Sequence, residues 1–243
     1  MYLEHIVPNA LAIFSAPRCF LRRLINPRLV SFGLMANLNF LKKRGVFDEV
    51  DAVIDIGANI GQFAFMIHSV LPDKPVFSFE PDSDCFSILQ DTFSIHKIPG
   101  RCYPFALSNK EEQVKLNIYE SPANNSMLAR NGEMPKVVKS VDCRTLDGFR
   151  AEFEPHQSFF LKIDVQGAEL LVLEGAKQFL SNCKFVQLEV SLTTSYAGNA
   201  KIEDVLQAMS LAGFICWEIV DVLRNKQPNE LGIIEMDLLF RKA

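Results

Sequence analysis

The amino-acid sequence predicts an α/β fold built on a doubly wound, mostly parallel β-sheet. From Val50 onward, short apolar runs alternate with segments of helical periodicity, which is the pattern of consecutive β-α units. The chain has 243 residues, of which 49% are hydrophobic and 22% charged, so one buried core stabilises it without a metal or a disulfide. No repeat or linker interrupts the sequence beyond residue 50. We therefore expect one main domain over residues 46–243, preceded by a helical extension over residues 1–45.

The predicted strands are short runs rich in β-branched and aromatic side chains, bounded by polar turns. Phe159–Ile163 is apolar almost throughout, as expected of a strand buried on both faces. Pro104 argues against a central place for the third run, because proline cannot donate to a strand ladder. The last two runs are expected to form an antiparallel hairpin that completes a seven-stranded sheet. The expected sheet strands are Ala52–Ile56, Val76–Phe79, Cys102–Ala106, Phe159–Ile163, Phe185–Val190, Phe214–Val220 and Met236–Phe240, with Val114–Tyr119 and Val137–Val141 as added strands.

The predicted helices are recognised by apolar residues three and four positions apart and by the residues that end them. The clearest is amphipathic from Ile202 to Met209, and Gly213 is placed to close it. Pro72 ends an earlier helix that starts near Gln62. The remaining helices are expected along Phe86, Leu89 and Phe93, over Leu146–Phe149, and along Leu173, Ala176 and Leu180.

A basic amphipathic segment lies near the start of the chain, where four arginines interleave with apolar side chains between Arg18 and Val30. We favour a helix packed on the main domain, with its arginines in water, over peripheral contact with a membrane. The apolar stretch Leu11–Ala16 is short and is closed by Pro17, unlike a signal peptide or a membrane span. We therefore expect a soluble, cytoplasmic protein.

Charge and cysteine usage exclude two classes of protein. The formal net charge is −4, from 25 basic and 29 acidic side chains, so the sequence has no basic footprint for duplex nucleic acid. The six cysteines are spread singly, with no C-x-x-C pair. We predict buried free thiols rather than disulfides or a zinc site, which suits a reducing cytosol.

Acidic side chains stand at the carboxyl ends of three predicted strands, where open parallel sheets bind ligands. The turn Asp55–Gly61 follows the first strand, and its glycines allow the backbone to approach a ligand closely. Glu80 lies 23 positions beyond Gly57 (80 minus 57), the separation expected of a carboxylate that accepts hydrogen bonds from ribose hydroxyls. The turn and the carboxylate together predict a bound nucleoside. The three acidic residues are Glu80, Asp164 and Glu189.

The glycine spacing of this turn does not fit a dinucleotide-binding loop, which needs three glycines so that a pyrophosphate can rest on a helix N-terminus. Counting from Gly57, the second and third glycine positions hold Asn59 and Gln62. A cofactor without a pyrophosphate, such as S-adenosylmethionine, fits better. A nicotinamide-dependent oxidoreductase and a non-catalytic nucleoside-binding or scaffold protein are kept as alternatives.

A series of ordered motifs resembles the FkbM-type methyltransferases. The resemblance covers residues 38–241 in unbroken order and departs at Gln166, where the family usually has glutamate. It implies a class I, Rossmann-like methyltransferase that uses S-adenosylmethionine and commonly methylates hydroxyls of sugars or polyketides. The partner would be a small-molecule or glycan acceptor, and no nucleic acid is expected. The motifs are Val53–Phe63, Phe79–Pro81, Ala106–Ser108, Thr145–Asp147, Lys162–Glu169, Leu173–Ala176 and Gln187–Glu189.

Carried onto this sequence residue by residue, the resemblance implies a cofactor site that starts at Asp55 and runs across three strand ends. The turn after the first strand would wrap the methionine portion, and Glu80 would hold the ribose. The implied contacts are Gly57, Ala58, Asn59 and Gly61 at the methionine, Pro81 and Asp82 at the adenosine, and Ala106, Leu107 and Ser108 at the adenine.

Methyl transfer to a hydroxyl is helped by a carboxylate near the hydroxyl proton or by a bound cation. Asp164 is the leading candidate for this place, with Glu169 and Glu189 as helpers or alternatives. Glu169 would equally favour its own helix N-terminus, and Glu189 could pair with a neighbouring lysine. A divalent ion between Asp164 and Glu189 is a minor alternative, and we predict no metal site. For the polar loop Asn124–Ser126 we prefer a solvated turn over a wall of the acceptor site, and for Trp217 a place in the core.

Overall fold

Ten strands form two sheets in the computed structural model, which describes residues 28–225 and 232–243. Every predicted strand is present, and the outer strands extend beyond their predicted ends. Along the chain the strands are β1 (Ala52–Ile56), β2 (Val76–Phe79), β3 (Gly100–Tyr103), β4 (Ala106–Leu107), β5 (Glu112–Ile118), β6 (Val137–Arg144), β7 (Phe159–Ile163), β8 (Cys183–Ser191), β9 (Phe214–Arg224) and β10 (Ile233–Lys242).

The larger sheet has seven strands in the order β3-β2-β1-β7-β8-β10-β9. Neighbours from β3 through β8 are parallel, whereas β10 is antiparallel to both β8 and β9. The chain moves outward from β1 to β3 and then returns to the other side of β1, so the strand order reverses between β1 and β7. The predicted doubly wound sheet with its C-terminal antiparallel hairpin is therefore confirmed. The added strands β5 and β6 pair with β4 in a separate three-stranded sheet.

The helices cover the two faces of the larger sheet. Alternating residues of one strand enter opposite apolar layers: Phe160 packs with the layer beneath the first three helices, and Leu161 packs with the layer that contains Val205 of the last helix. The helices are α1 (Phe32–Lys43), α2 (Gln62–Val70), α3 (Ser83–His96), α4 (Glu169–Glu174) and α5 (Ile202–Leu211), with short 3-10 turns at Pro122–Asn124, Asp147–Phe153 and Phe179–Asn182.

Two predicted elements differ from the observed ones for steric reasons. The third run does not continue from Cys102 to Ala106; β3 ends at Tyr103, immediately before Pro104, and Ala106 pairs with β6 instead. The single helix expected along Leu173 to Leu180 is broken into α4 and a 3-10 turn. Gly175 lies at the break, where a Cβ would stand 1.9 Å from the Ser108 carbonyl oxygen, so the chain passes too close to β4 for a side chain.

Helix α1 joins the N-terminal part of the described chain to the main core. Ser31 caps its start, with Oγ accepting a hydrogen bond from the Leu34 amide at 3.3 Å. Met35 and Leu38 are buried in the apolar layer beneath α1, α2 and α3. The basic segment predicted between Arg18 and Val30 lies outside the described residues apart from its last three positions. The domain boundary after residue 45 stays a prediction.

The remaining structural expectations concern thiols, the lone tryptophan and membrane spans. Cys85, Cys143 and Cys183 are buried free thiols, but Cys216 is exposed because β9 is the edge strand. Trp217 is half-buried rather than central, and the Arg44 guanidinium lies 4.5 Å from its ring centroid. None of the helices found within residues 28–225 and 232–243 has the length and apolar character needed to cross a bilayer.

Candidate active site

A cavity of about 1160 Å³ opens at the carboxyl ends of β1, β2, β7 and β8, and we call it the strand-end cavity. Its wall includes Gly57 after β1, Glu80 after β2, Asp164 after β7 and Glu189 in β8. This is the edge of an open parallel sheet at which ligands bind. The volume lies slightly above the range of about 300–1,000 Å³ that is usual for one small ligand.

The turn after β1 is held against the end of β7. Gly57 has a φ of +81°, and a Cβ at this position would stand 1.8 Å from the carbonyl oxygen of Asp164. Glycine is therefore required by the neighbouring strand, in addition to any ligand that approaches the turn. The sequence argument named the right residue but missed this reason, because Asp164 is distant in sequence.

Glu80 links the same turn to the end of β2. Its Oε2 accepts a hydrogen bond from the Asn59 amide at 2.8 Å, and its Oε1 accepts one from the Asp82 amide at 2.8 Å. Burial raises the pKa of Glu80 to about 7, although these two amides act in the opposite direction. Each carboxylate oxygen can accept a second hydrogen bond, so Glu80 retains capacity for a ligand hydroxyl in the strand-end cavity.

The loop Asn124–Ser126 forms a polar part of the cavity wall and is not the solvated turn expected there. Asn125 accepts a hydrogen bond from the Tyr119 amide at 3.0 Å and donates to Asp82 at 3.5 Å. Ser126 is buried, and its hydroxyl donates to the Gln166 carbonyl at 2.8 Å. The loop prediction was wrong because these partners come from distant parts of the chain. Both Asn125 and Ser126 line the cavity.

Lys162 is a largely buried cation that lines the cavity. Its Nζ lies 2.8 Å from Asp164 Oδ2 and 3.9 Å from Asp55 Oδ1. Burial disfavours the charge of Lys162, but these two carboxylates hold its pKa above the usual value. Asp164 is also penalised by burial, yet Lys162 keeps the pKa of Asp164 below its usual value. The lowered pKa keeps Asp164 ionised at neutral pH. Because 31% of its side chain is accessible, it can accept hydrogen bonds from a group in the cavity.

Glu189 lies beside Asp164 and contacts an amide, not the lysine considered in the sequence analysis. Gln166 Nε2 lies 2.5 Å from Glu189 Oε2 and 3.1 Å from Asp164 Oδ1. Burial and the adjacent charge of Asp164 raise the pKa of Glu189 well above its usual value. The pKa values of the two carboxyl groups are therefore shifted in opposite directions, and Asp164 ionises at a lower pH than Glu189.

Acidic groups outnumber basic ones around this part of the cavity. Asp55 and Asp237 are buried or half-buried, and burial raises the pKa of Asp55 to about 6 and that of Asp237 to about 7. Asp55 Oδ1 accepts no hydrogen bond within the described part of the chain. Lys162 alone does not neutralise this group, so the site favours a cationic ligand. The acidic residues that line this part of the cavity are Asp55, Asp164, Glu189, Asp221 and Asp237.

Three residues expected at the site do not line the strand-end cavity, namely Gly61, Ser108 and Glu169. Gly61 lies at the start of α2, and the Ser108 hydroxyl donates to Asn109 Oδ1 at 3.4 Å. Glu169 is buried and accepts hydrogen bonds from the amides of Val165 at 3.3 Å and Gly167 at 3.0 Å. Burial raises the pKa of Glu169 to about 7. Glu169 therefore supports the turn that carries Gln166 and does not itself reach the cavity.

The other predicted positions do line the cavity. They are Asp55, Gly57, Ala58, Asn59, Glu80, Pro81, Asp82, Ala106, Leu107, Asp164 and Glu189. Over the described residues, no group of three or more His, Cys, Asp or Glu side chains is arranged to hold a metal ion.

Sequence reasoning gave no role to Lys162 and did not single out Asp237. A signal was present for Lys162, because it is the one charged residue in the apolar strand Phe159–Ile163 and a buried charge must be paired. Asp237 pairs in register with Glu189, and its Oδ2 accepts a hydrogen bond from Gln187 Nε2 at 3.0 Å.

Curated relatives are methyltransferases of low sequence identity. Methyltransferase 1 of Beauveria bassiana is 26% identical over 148 residues, covering 53% of this chain and 59% of the relative. Hexuronic acid methyltransferase AglP of Haloferax volcanii is 29% identical over 146 residues, covering 59% and 57%. The 2-O-methyltransferase NoeI of Sinorhizobium fredii is 23% identical over 176 residues, covering 65% and 70%. The chain thus spans less than two thirds of the length of the first two relatives.

Structural likeness and a family model complete the comparison. A solved S-adenosylmethionine-dependent methyltransferase from Clostridium acetobutylicum superposes with a TM-score of 0.46 at 9% identity, over 95% of this chain and 99% of that one. At this level of likeness the fold assignment rests on the strand order itself. The model of the methyltransferase FkbM domain matches residues 55–216. Because this match covers more than half of the chain and includes the turn after β1, Glu80 and Asp164, the chain belongs to the FkbM methyltransferase family, as its motifs predict.

Proposed function

We propose that this chain transfers the methyl group of S-adenosylmethionine to a hydroxyl oxygen on a sugar, a glycan or a related small natural product. The observation that carries the proposal is the strand-end cavity, which joins the turn at Gly57 and Glu80 to Asp164 in one space. Two relatives, a hexuronic acid methyltransferase and a 2-O-methyltransferase, support a sugar-like acceptor and oxygen as the methylated atom. A cytoplasmic location, in which the free thiols would persist, is part of the proposal.

The residues of the cavity fit this cofactor. Backbone of the turn at Gly57 and the carboxylate of Glu80 suit a nucleoside with free ribose hydroxyls. The excess of carboxylates along this part of the cavity suits a cationic sulfonium. Glu80 would hold the ribose, Pro81 and Leu107 would border the adenosine, and the turn after β1 would hold the methionine portion.

The reaction asks this chain mainly to orient and to accept a proton. When bound, S-adenosylmethionine supplies an electrophilic methyl group for in-line displacement. Holding an acceptor oxygen in line can supply about 7–11 kcal/mol of the barrier reduction. Asp164 would accept the hydroxyl proton as the oxygen–methyl bond forms and the sulfur–methyl bond breaks. Lys162 keeps Asp164 ionised for that step.

Titration calorimetry with S-adenosylhomocysteine tests the cofactor half of the proposal. Glu80→Gln should weaken binding by about tenfold or more, because hydrogen bonds to a charged group are worth about 1.5–3 kcal/mol. Glu203→Gln, on the exposed start of α5, is the matched control and should bind like the wild type. Failure of the wild type to bind, or tight binding of NAD instead, would contradict the proposal.

Transfer of a labelled methyl group to panels of neutral sugars, hexuronates and glycans tests the acceptor half. We expect label on an oxygen of at least one member and none after Asp164→Asn. Cofactor binding with no transfer to any member would favour a non-catalytic protein.

A further inference from the structure

The carboxamide of Gln166 contacts both of the adjacent carboxyl groups nearest the proposed reaction, those of Asp164 and Glu189. One nitrogen, Nε2, is within hydrogen-bond distance of both Asp164 Oδ1, at 3.1 Å, and Glu189 Oε2, at 2.5 Å. An amide nitrogen carries two hydrogens, and each of them has a carboxyl oxygen as its acceptor. The NH₂ group of Gln166 therefore bridges the pair in the way that a small cation would.

The orientation of this amide follows from its neighbours. The Tyr196 hydroxyl lies 3.0 Å from Gln166 Oε1 and 3.0 Å from the Asn124 carbonyl, so its hydrogen faces two acceptors. If the amide were turned around, its oxygen would face two carboxyl groups, and both would lose the hydrogen bond that Nε2 donates to them. Tyr196 is itself buried, which fixes the donor in place.

The backbone of Gln166 is held as firmly as its side chain. The residue has a φ of +55°, a left-handed conformation that costs energy for any residue other than glycine. Its carbonyl accepts the Ser126 hydroxyl at 2.8 Å, and the next amide, that of Gly167, donates to buried Glu169 at 3.0 Å. This backbone conformation directs the side chain of Gln166 toward Asp164 and Glu189.

Charge explains why a neutral donor suits this place. Asp164 and Asp55 pair with the ammonium of Lys162, and Glu189 and Asp237 line the same part of the cavity. A carboxylate at position 166 would add a third acidic group at the bridge without adding a cation. Oxygen ligands of that kind and number are what divalent cations bind.

We propose that Gln166 is a positioning residue whose carboxamide, oriented by Tyr196, takes the place of a divalent cation between Asp164 and Glu189. The proposal deepens the methyl transfer proposed above and rests on it for the meaning of the pair. The bridge fixes the direction of Asp164 toward the acceptor hydroxyl, and it frees the pair from any need for a metal. Gln166 itself transfers no proton and forms no bond to the acceptor.

Metal titration tests the bridge without any acceptor. Gln166→Glu should bind Mn²⁺, followed by electron paramagnetic resonance, at least about tenfold more tightly than the wild type. Gln207→Glu adds the same charge on the exposed side of α5 and should bind like the wild type. Equal Mn²⁺ affinity of the Gln166 and Gln207 variants would overturn the proposal. Because this experiment needs no methyl transfer, its failure is separate from failure of the proposed function.

Activity tests the positioning role with a variant that keeps size but removes the donors. Gln166→Met should lower the rate of methyl transfer by about tenfold or more, because misplacement by about 1 Å can cost up to a hundredfold. Its affinity for S-adenosylhomocysteine should stay within about twofold of the wild type.

Added Mg²⁺ or Mn²⁺ should restore activity to Gln166→Glu and not to Gln166→Met, an effect that a merely structural role would not produce. A fully active Gln166→Met enzyme would refute the positioning role of Gln166. A folded Gln166→Glu enzyme whose activity the metals do not restore would also refute it. If Gln166→Glu does not fold, the activity of Gln166→Met alone decides.

Discussion

Replacing Lys162 with methionine tests whether the buried charge cluster has been described correctly. The lysine is only 11% exposed, and its ammonium faces Asp164 at 2.8 Å and Asp55 at 3.9 Å. Methionine matches the apolar stem of lysine and removes the charge. The change therefore leaves two carboxyl groups at the centre of the fold without their cation.

The size of the effect follows from these distances. At an effective dielectric constant of about 20, unit charges attract by about 6 kcal/mol at 2.8 Å and about 4 kcal/mol at 3.9 Å. Desolvation of the ions offsets most of this attraction in the wild type, but removing one partner leaves the other charges uncompensated. We expect Lys162→Met to lower the free energy of unfolding by about 3–5 kcal/mol at neutral pH.

Urea unfolding followed by circular dichroism measures this loss, with Lys177→Met as the matched control at an exposed position. The deficit should shrink as the pH falls, since protonation of Asp55 and Asp164 removes the unpaired charges. Adding Asp164→Asn to Lys162→Met should recover part of the stability, because both members of the ion pair are then neutral. If Lys162→Met and Lys177→Met unfold at the same urea concentration, the buried ion pair does not exist as described.

Three further predictions concern the turn, the proposed base and pH. Gly57→Ala should destabilise the fold and weaken S-adenosylhomocysteine binding. The control Gly132→Ala has a similar φ of +77°, and its Cβ would have no atom within 4 Å, so it should lose only about 1 kcal/mol to backbone strain. Equal losses of stability in thermal unfolding would show that the Cβ of Gly57→Ala does not clash with Asp164. Asp164→Asn should lower the methyl transfer rate by about 10²–10⁴-fold and leave the cofactor affinity within about twofold of the wild type. The control Asp91→Asn, at an exposed position of α3, should stay active. Wild-type turnover by Asp164→Asn would show that Asp164 is not the base. The free energy of unfolding should fall as the pH rises from about 4 to about 8, because ionisation of carboxyls whose folded pKa is raised destabilises the folded state. It should also fall below about pH 4, because Asp164, whose folded pKa is lowered, then becomes protonated. Denaturant midpoints that rise steadily over that whole range would contradict the buried carboxyls, which are Asp55, Glu80, Glu169 and Asp237.

Local sequence signals were sufficient for the centre of the fold. The bounds of Ala52–Ile56, Val76–Phe79 and Phe159–Ile163 agree with prediction, because each is a short apolar run closed by a polar turn. The same runs put Glu80 and Asp164 at one edge of the sheet, since parallel strands end together. Strand periodicity and connection rules thus carry most of the information about where the cavity forms.

The direction of each side chain at that edge could not be read from the sequence. Glu169 turns inward to the amides of Val165 and Gly167, which depends on the left-handed backbone of the turn between them. Gln166 meets Tyr196, 30 positions later, and Glu189, 23 positions later, and no periodicity encodes those contacts. Such partners are fixed by the tertiary fold. Sequence spacing alone therefore named candidate residues but could not tell those that support the turn, such as Glu169, from those that line the cavity.

The single side chain of Lys139 has a consequence for engineering this scaffold. It reaches from the small sheet to Asp82 at 2.6 Å and to Asp84 at 3.0 Å, just beyond the end of β2. A chimera that imported the β5–β6 hairpin of another family member, in order to change which acceptor is chosen, would cut this tether. The donor hairpin would therefore have to bring its own lysine at the position of Lys139, or Asp82 and Asp84 would lose their link to the small sheet.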